Sequence, residues 1–320
     1  MLRNRIAQVI FNQFTRFSSK TNGVEHKLLW KAYSELARLA PKDTLVRYDV
    51  YGRTIQLPVS SPLPSAMTRR PRPNENLQRL AAIVANTYPG SSMIDIGANI
   101  GDTALAMRWA ADRPILCVEG SSYYSNLCEQ NLQGIKGITV VNAFVDTETG
   151  TTAASIVENG GSGRAFFSEG SGAARTVSLA ELASTYGYLN AKLVKIDCDG
   201  FDGRIIQGAL PWIRETRPTL FWECELTGDA VVGGPGRRLF DLLSDAGYWY
   251  FAFYSNTGDY ITTATADNPS LIDDLCWYLG LRLNRMQSPP AYADVCAIQK
   301  SDIEIFELLR KGEDKTRSVS

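Results

Sequence analysis

The chain has 320 residues, 44% of them hydrophobic and 21% charged, with 33 basic and 34 acidic side chains. This suits one large globular domain with additions, and a net charge of −1 lacks the basic excess of a nucleic-acid binder. No run approaches the ~20 apolar residues of a membrane span, and none of the six cysteines forms a Cys-x-x-Cys pair, so a reduced, cytoplasmic setting with apolar, buried thiols is expected.

In chain order, Leu2, Ile6, Val9, Ile10, Phe14 and Phe17 follow helical spacing, with Arg3, Arg5, Arg16 and Lys20 as the only charges. A basic amphipathic helix of this kind packs on the main domain or on a second copy, lies on an anionic membrane, or serves as a transit peptide; packing is the expectation here. Residues 28–40 predict a helix ended by Pro41, and 45–58 a hairpin turning at Tyr51-Gly52-Arg53. Residues 58–73 are rich in proline and serine, carry Arg69, Arg70 and Arg72, and read as a loop, either a linker or a cover for a site entrance. A helix follows from Asn74 to about Thr87. Strands then fall near 91–97, 114–119, 138–145, 192–197, 219–224, 248–254 and 293–299, alternating with helices, which predicts a parallel sheet with right-handed crossovers. Insertions interrupt it at about 146–176, with Gly160-Gly161 and Gly170-Ser171-Gly172, and at 262–290, with a helical stretch at 271–283. Insertions at sheet ends are where such folds build acceptor pockets. The chain thus divides into an arm, hairpin and linker (1–73), a central domain (74–300) and a charged C-terminal helix or tail (301–320).

The segment from Ser91 to Leu105 concentrates the chemistry. Met93, Ile94 and Ile96 form a short apolar run suited to a doubly covered strand. Gly97 and Gly101 bracket a turn through Ala98 and Asn99, and a helix begins near Asp102 with Thr103 in its first turn. Glycine permits positive φ and close approach to a ligand, and the helix start offers N–H groups to a carboxylate or phosphate. A dinucleotide fold wants Gly-x-Gly-x-x-Gly here. Asn99 and Asp102 stand where its second and third glycines would fall, and Asp102 would repel a pyrophosphate. A single carboxylate fits better, as in the methionine moiety of S-adenosylmethionine, whose ammonium Asp95 or a backbone carbonyl could accept. The next strand ends in Glu119-Gly120-Ser121, about 20 residues past the turn, as expected for an acid that accepts from the two ribose hydroxyls.

Three blocks occur in order: Asp95-Ile96-Gly97-Ala98-Asn99-Ile100-Gly101-Asp102-Thr103; Leu193-Val194-Lys195-Ile196-Asp197-Cys198-Asp199-Gly200-Phe201-Asp202, followed by Ile205-Ile206-Gln207-Gly208-Ala209; and Arg217-Pro218-Thr219-Leu220-Phe221-Trp222-Glu223-Cys224-Glu225. On these blocks, residues 75–300 resemble the FkbM family of S-adenosylmethionine-dependent methyltransferases. Members usually carry Lys-Ile-Asp-x-Glu-Gly in the second block; Asp199 stands in place of that glutamate here. The resemblance implies an α/β fold with a seven-stranded Rossmann-like methyltransferase sheet, mostly parallel with an antiparallel last strand, behind an N-terminal helical and hairpin extension. It also implies methylation of hydroxyl groups on sugars and natural products.

Methyl transfer from a sulfonium requires an aligned acceptor oxygen and a destination for its proton. The single histidine, His26, lies far before the cofactor motif and reads as a surface or packing residue, which leaves carboxylates and Lys195 as the catalytic candidates. Asp197 and Asp199 end the fourth strand, and Glu223 and Glu225 the fifth, at the edge where open α/β sheets bind ligands. Their repulsion raises a pKa and creates a base, or Asp197, Asp199 and Glu223 hold a hard cation such as Mg²⁺. Asp197 leads, facing the methyl group or the methionine amine. Asp199 and Glu223 follow as base or acceptor-hydroxyl ligands, with Lys195 as an alternative ion-pair partner. Asp202 and Glu225 are expected to be solvated or to cap helices. Asn142 reads as an adenine-edge ligand or a strand cap. Tyr123, Tyr124, Trp222 and Tyr254 read as stacking platforms or, more commonly, core. The expected partner is a small-molecule or glycan acceptor, with no nucleic acid; the N-terminal helix leaves peripheral membrane contact and a homodimer as further options. The alternative is a binding or scaffold protein that kept the fold and lost turnover.

Overall fold

Runs of aliphatic residues set the frame of the molecule, for which a computed structural model describes residues 2–18, 24–41, 44–69, 74–159, 162–167, 173–285 and 292–317. The strands are β1 (Leu45–Val50), β2 (Arg53–Pro58), β3 (Ser92–Ile96), β4 (Ile115–Glu119), β5 (Ile138–Asn142), β6 (Phe144–Asp146), β7 (Gly150–Asn159), β8 (Ser162–Phe167), β9 (Ala173–Ser178), β10 (Ala191–Ile196), β11 (Thr219–Cys224), β12 (Tyr248–Ser255), β13 (Tyr260–Thr265) and β14 (Ala293–Gln299). The central sheet has eight strands in the order β13-β12-β14-β11-β10-β3-β4-β5. From β11 through β5 all neighbours are parallel. The last strand, β14, inserts antiparallel between β11 and β12. All seven expected strands are present. The eighth, β13, is an antiparallel edge partner of β12 and occupies the start of the second insertion.

Every residue of β3 and β4 is buried, as a sheet covered on both faces requires. Ile94, Ile96, Val194 and Trp222 pack in one core, and Met93, Cys117, Leu193 and Phe221 in the other. The third strand of the sheet stops at Asn142. Phe144–Asp146 leaves it to pair with β9 in a separate four-stranded sheet, β6-β9-β7-β8, which is the first insertion. Its glycine runs at 160–161 and 170–172 lie outside the described residues.

Two local expectations change. The proline-rich stretch after β2 is not all loop: Leu63–Arg69 is a helix. Pro62 and Pro64 lie at its start, where a missing N–H breaks no helical hydrogen bond; Arg70 and Arg72 lie outside the described residues. The N-terminal helix Leu2–Ser18 buries Ala7, Phe11 and Phe14, while Ile6 and Val9 stay 54% and 60% exposed. Phe14 stacks on Tyr33 with ring centroids 4.3 Å apart, Phe11 meets Tyr48 edge-on, and the Gln8 amide pairs with both backbone groups of Arg47. The arm therefore packs on the hairpin and on the helix Val24–Leu39, whose backbone includes His26. All six cysteines are unpaired. Among the described residues no helix is long and apolar enough to cross a membrane.

Candidate functional site

The turn after β3 is built on one steric fact. Gly97 has φ +75°, and a Cβ added there would stand 1.9 Å from the carbonyl oxygen of Asp197. Only glycine lets the exits of β3 and β10 touch. Gly101, also at positive φ, caps the helix Asp102–Ala110, whose first N–H groups are left without helical partners.

Around this turn the charges are internally matched. Asp95 is fully buried; one carboxylate oxygen accepts from the Thr103 hydroxyl at 2.6 Å, and the other is 3.1 Å from Lys195 Nζ. Lys195 also donates to the Gly97 carbonyl and stands 3.4 Å from Asp197. Burial alone would lower the Lys195 pKa, but Asp95 and Asp197 together hold it well above its ordinary value. Glu119 accepts from the backbone N–H of Asn99 at 2.9 Å and of Ser121 at 2.8 Å, one bond to each oxygen. Burial raises its pKa, while those two N–H groups pull it down. It pins the glycine turn to the next strand end. Burial pushes Asp102 up to about 6, with Lys195 opposing the shift.

The carboxyl ends of β10 and β11, with the amino end of antiparallel β14, form the opposite environment. Asp197 is exposed, and Asp199 sits in a left-handed turn at φ 49°. Asp202 is neither solvated nor a simple helix cap. It is 1% exposed, and its two oxygens accept from the backbone N–H groups of Cys198 and Glu223, tying the two strand exits together. Burial and then Asp197 push it up to about 8. Burial and the surrounding Asp197, Asp202, Asp294 and Asp199 raise Glu223 well above the carboxylate range. Asp294, opposite Glu223, is raised as well, from burial first and Asp197 second.

A cavity of about 670 Å³ joins the two environments, within the range of small-molecule sites. Its wall includes Gly97, Asn99, Thr103, Glu119, Gly120 and Ser121 at one end. Lys195 stands between the two ends, and Asp197, Asp199, Glu223 and Glu225 line the other. Four sequence candidates for the cofactor, Asp95, Ala98, Gly101 and Asn142, do not line it. Asp95 lies behind Lys195, and Ala98 and Gly101 are packed into the turn. Asn142 donates to the Glu119 and Gly120 carbonyls, which makes it a strand cap. Tyr124, Trp222 and Tyr254 are core residues, and Tyr123 packs edge-on against Tyr124. The aromatic wall is Phe144, Phe201 and Tyr292 instead, and Ser61, Leu63 and Ala66 close the cavity from the segment read as a linker. Asp294 and Tyr292 belong to no motif and were not candidates from sequence. Among the described residues no three carboxylate, thiol or imidazole groups are arranged to hold a metal ion, so Asp197, Asp199 and Glu223 do not fit a Mg²⁺ site.

No family model matches the chain, and no curated protein matches its sequence. Among solved structures it is similar to the precorrin-6y C5,15-methyltransferase of Geobacter metallireducens GS-15, at 11% identity over 71% of this chain and 88% of that one, with a TM-score of 0.36. It is similar to a methyltransferase FkbM from Methylobacillus flagellatus KT, at 14% identity over 73% and 57% of the two chains, TM-score 0.37. A third is the METTL16 methyltransferase domain, at 12% identity over 78% and 74%, TM-score 0.43. The sheet itself defines the fold: eight strands, mostly parallel, with one antiparallel strand inserted, in an open Rossmann-like α/β arrangement.

Proposed function

We propose that the protein is an S-adenosylmethionine-dependent O-methyltransferase of FkbM type, acting on a hydroxyl of a sugar, glycosylated compound or other natural product. One observation carries the reading: a single cavity runs from the Gly97 turn and Glu119 to the carboxylates at the ends of β10 and β11. The turn and the helix start at Asp102 suit a carboxylate, Glu119 suits a ribose diol, and exposed Asp197, which lines the cavity, suits the methionine ammonium, Asp95 being buried behind Lys195. S-adenosylmethionine supplies an electrophilic methyl group whose leaving group departs as a neutral thioether. The protein then has two tasks: to hold the acceptor oxygen in line and to take its proton. Glu223 and Asp199 line the cavity and suit the second task, and Phe144 and Tyr292, also in its wall, suit contact with an acceptor ring.

Calorimetry on ligand-free protein should detect binding of S-adenosylmethionine and S-adenosylhomocysteine. Labelled methyl groups should reach a member of a glycan and polyol panel, and Asp197→Ala should abolish transfer. Absence of heat with both ligands overturns the reading; binding without transfer to any acceptor favours a scaffold that lost turnover.

A further inference from the structure

Glu223 and Asp294 face each other directly in the antiparallel pair of β11 and β14. Residues so placed share one face of the sheet with Cβ atoms about 4.5–5.5 Å apart. The ionisable groups around them are Asp197 and Asp199 from the loop after β10, Asp202 from the helix Asp202–Gly208, Lys195 from β10, and Tyr292 just before β14. From β12, Tyr254 stands opposite Asp294, but its hydroxyl donates to Glu313. Lys195 is the only cation in this set, and Asp95 and Asp197 flank it. Among the described residues neither Glu223 nor Asp294 makes an ion pair. Two carboxyls on facing positions of one sheet face, with further acids around them, oppose each other's ionisation, and they titrate as a pair. Burial and the neighbouring acids raise both. Glu223 lines the cavity, whereas Asp294 stands beside it, off the wall.

We infer that Asp294 is a positioning residue for Glu223: the two carboxyl groups hold one proton between them in the free protein at neutral pH, and a sulfonium cation bound beside the Gly97 turn drives it off. The idea rests on the cofactor reading above. Protons balance around the cycle. One leaves for solvent when the cation binds. The acceptor's hydroxyl proton then passes to Glu223 as the new C–O bond forms and the C–S bond breaks, its electron pair returning to sulfur. The neutral thioether exerts no such pull, so the pair again holds one proton. The base is therefore ionised when the donor is loaded and protonated when it is spent.

Calorimetry at pH 7 in two buffers of different ionisation enthalpy counts the protons. S-adenosylmethionine should release close to one, S-adenosylhomocysteine close to none, and donor affinity should rise as much as tenfold per pH unit below the pair's upper titration. Asp294→Asn should cut the release by more than half. Equal release with both ligands, or undiminished release from Asp294→Asn, overturns the inference. Carbon-13 carboxyl spectra of the ligand-free protein give a separate test, with signals assigned through Asp294→Asn and Glu223→Gln. Titration of both groups in the ordinary carboxylate range overturns the inference even where both ligands bind. Failure of both ligands to bind is a different result, and overturns the cofactor reading itself.

Discussion

The two ends of the cavity solve opposite electrostatic problems. At the glycine turn each buried charge has a fixed counterpart: Lys195 for Asp95, and two backbone N–H groups for Glu119. At the ends of β11 and β14, Glu223 and Asp294 face each other across the register with Asp202 and Asp197 nearby. On the function proposed above, the first end is a preorganised receptor, and the second stores unfavourable charge that a bound cation would relieve. This contrast gives each end its own signature under mutation: lost stability at the turn, altered protonation at the acid end.

The sharpest break in the comparison is at the turn. Gly97→Ala forces a side chain into positive φ and against the Asp197 carbonyl, and should cost about 4 kcal/mol or more, measured by urea unfolding. A variant as stable as wild type would mean that β3 and β10 do not meet as described. Next comes Lys195→Met, which leaves Asp95 buried without its cation. A broken buried ion pair costs about 3–5 kcal/mol, so a clear fall in the denaturation midpoint is expected, with Thr103, among the described residues, the only side chain still bonding Asp95.

The acid end should show itself in the pH dependence of stability. Asp202 titrates at about 8 in the fold, against about 3.9 for an unfolded aspartate. Between those values the folded state holds more protons than the unfolded one, so stability falls as pH rises through this window. Urea midpoints should therefore decline from pH 6 to pH 8. Asp202→Asn, which cannot ionise, should flatten the slope. A midpoint that climbs over this range contradicts the arrangement of acids.

The same contrast explains what the sequence disclosed. The Gly97 turn and the Asn99–Glu119 link are local, so spacing alone reveals them. The partner of Asp95 is not local: the register of β3 against β10 sets Lys195 beside it from 100 positions away in the chain. Asp294 and Tyr292 precede or begin a strand that inserts out of order, and no neighbouring residue hints that Glu223 will face them. Asp202 looked like a helix-start acid because its two amide partners lie on separate strand exits. In the N-terminal helix two apolar stripes compete on spacing alone. Tyr33 and Tyr48 decide for Phe11 and Phe14, a choice that only tertiary packing makes.

The smallest effect tests whether the amino-terminal hairpin is part of this machinery or only attached to it. Arg53 donates to the carbonyls of Asn131 and Gln133 at the end of the helix Ser122–Leu132. The last carbonyls of a helix lack partners within it, and a cation there meets the negative end of the dipole. Asn131 closes the same joint through Gln56, with its amide donating to the Gln56 carbonyl and its oxygen accepting from the Gln56 N–H. Because Asn131 continues to hold the hairpin, Arg53→Met should cost only about 1 kcal/mol. The Ser61–Ala66 wall follows directly from β2, so the second readout is S-adenosylhomocysteine affinity. A change under twofold would make the hairpin a support that tolerates loosening. A tenfold loss at the same small stability cost would make the docked hairpin a working part of the cavity wall.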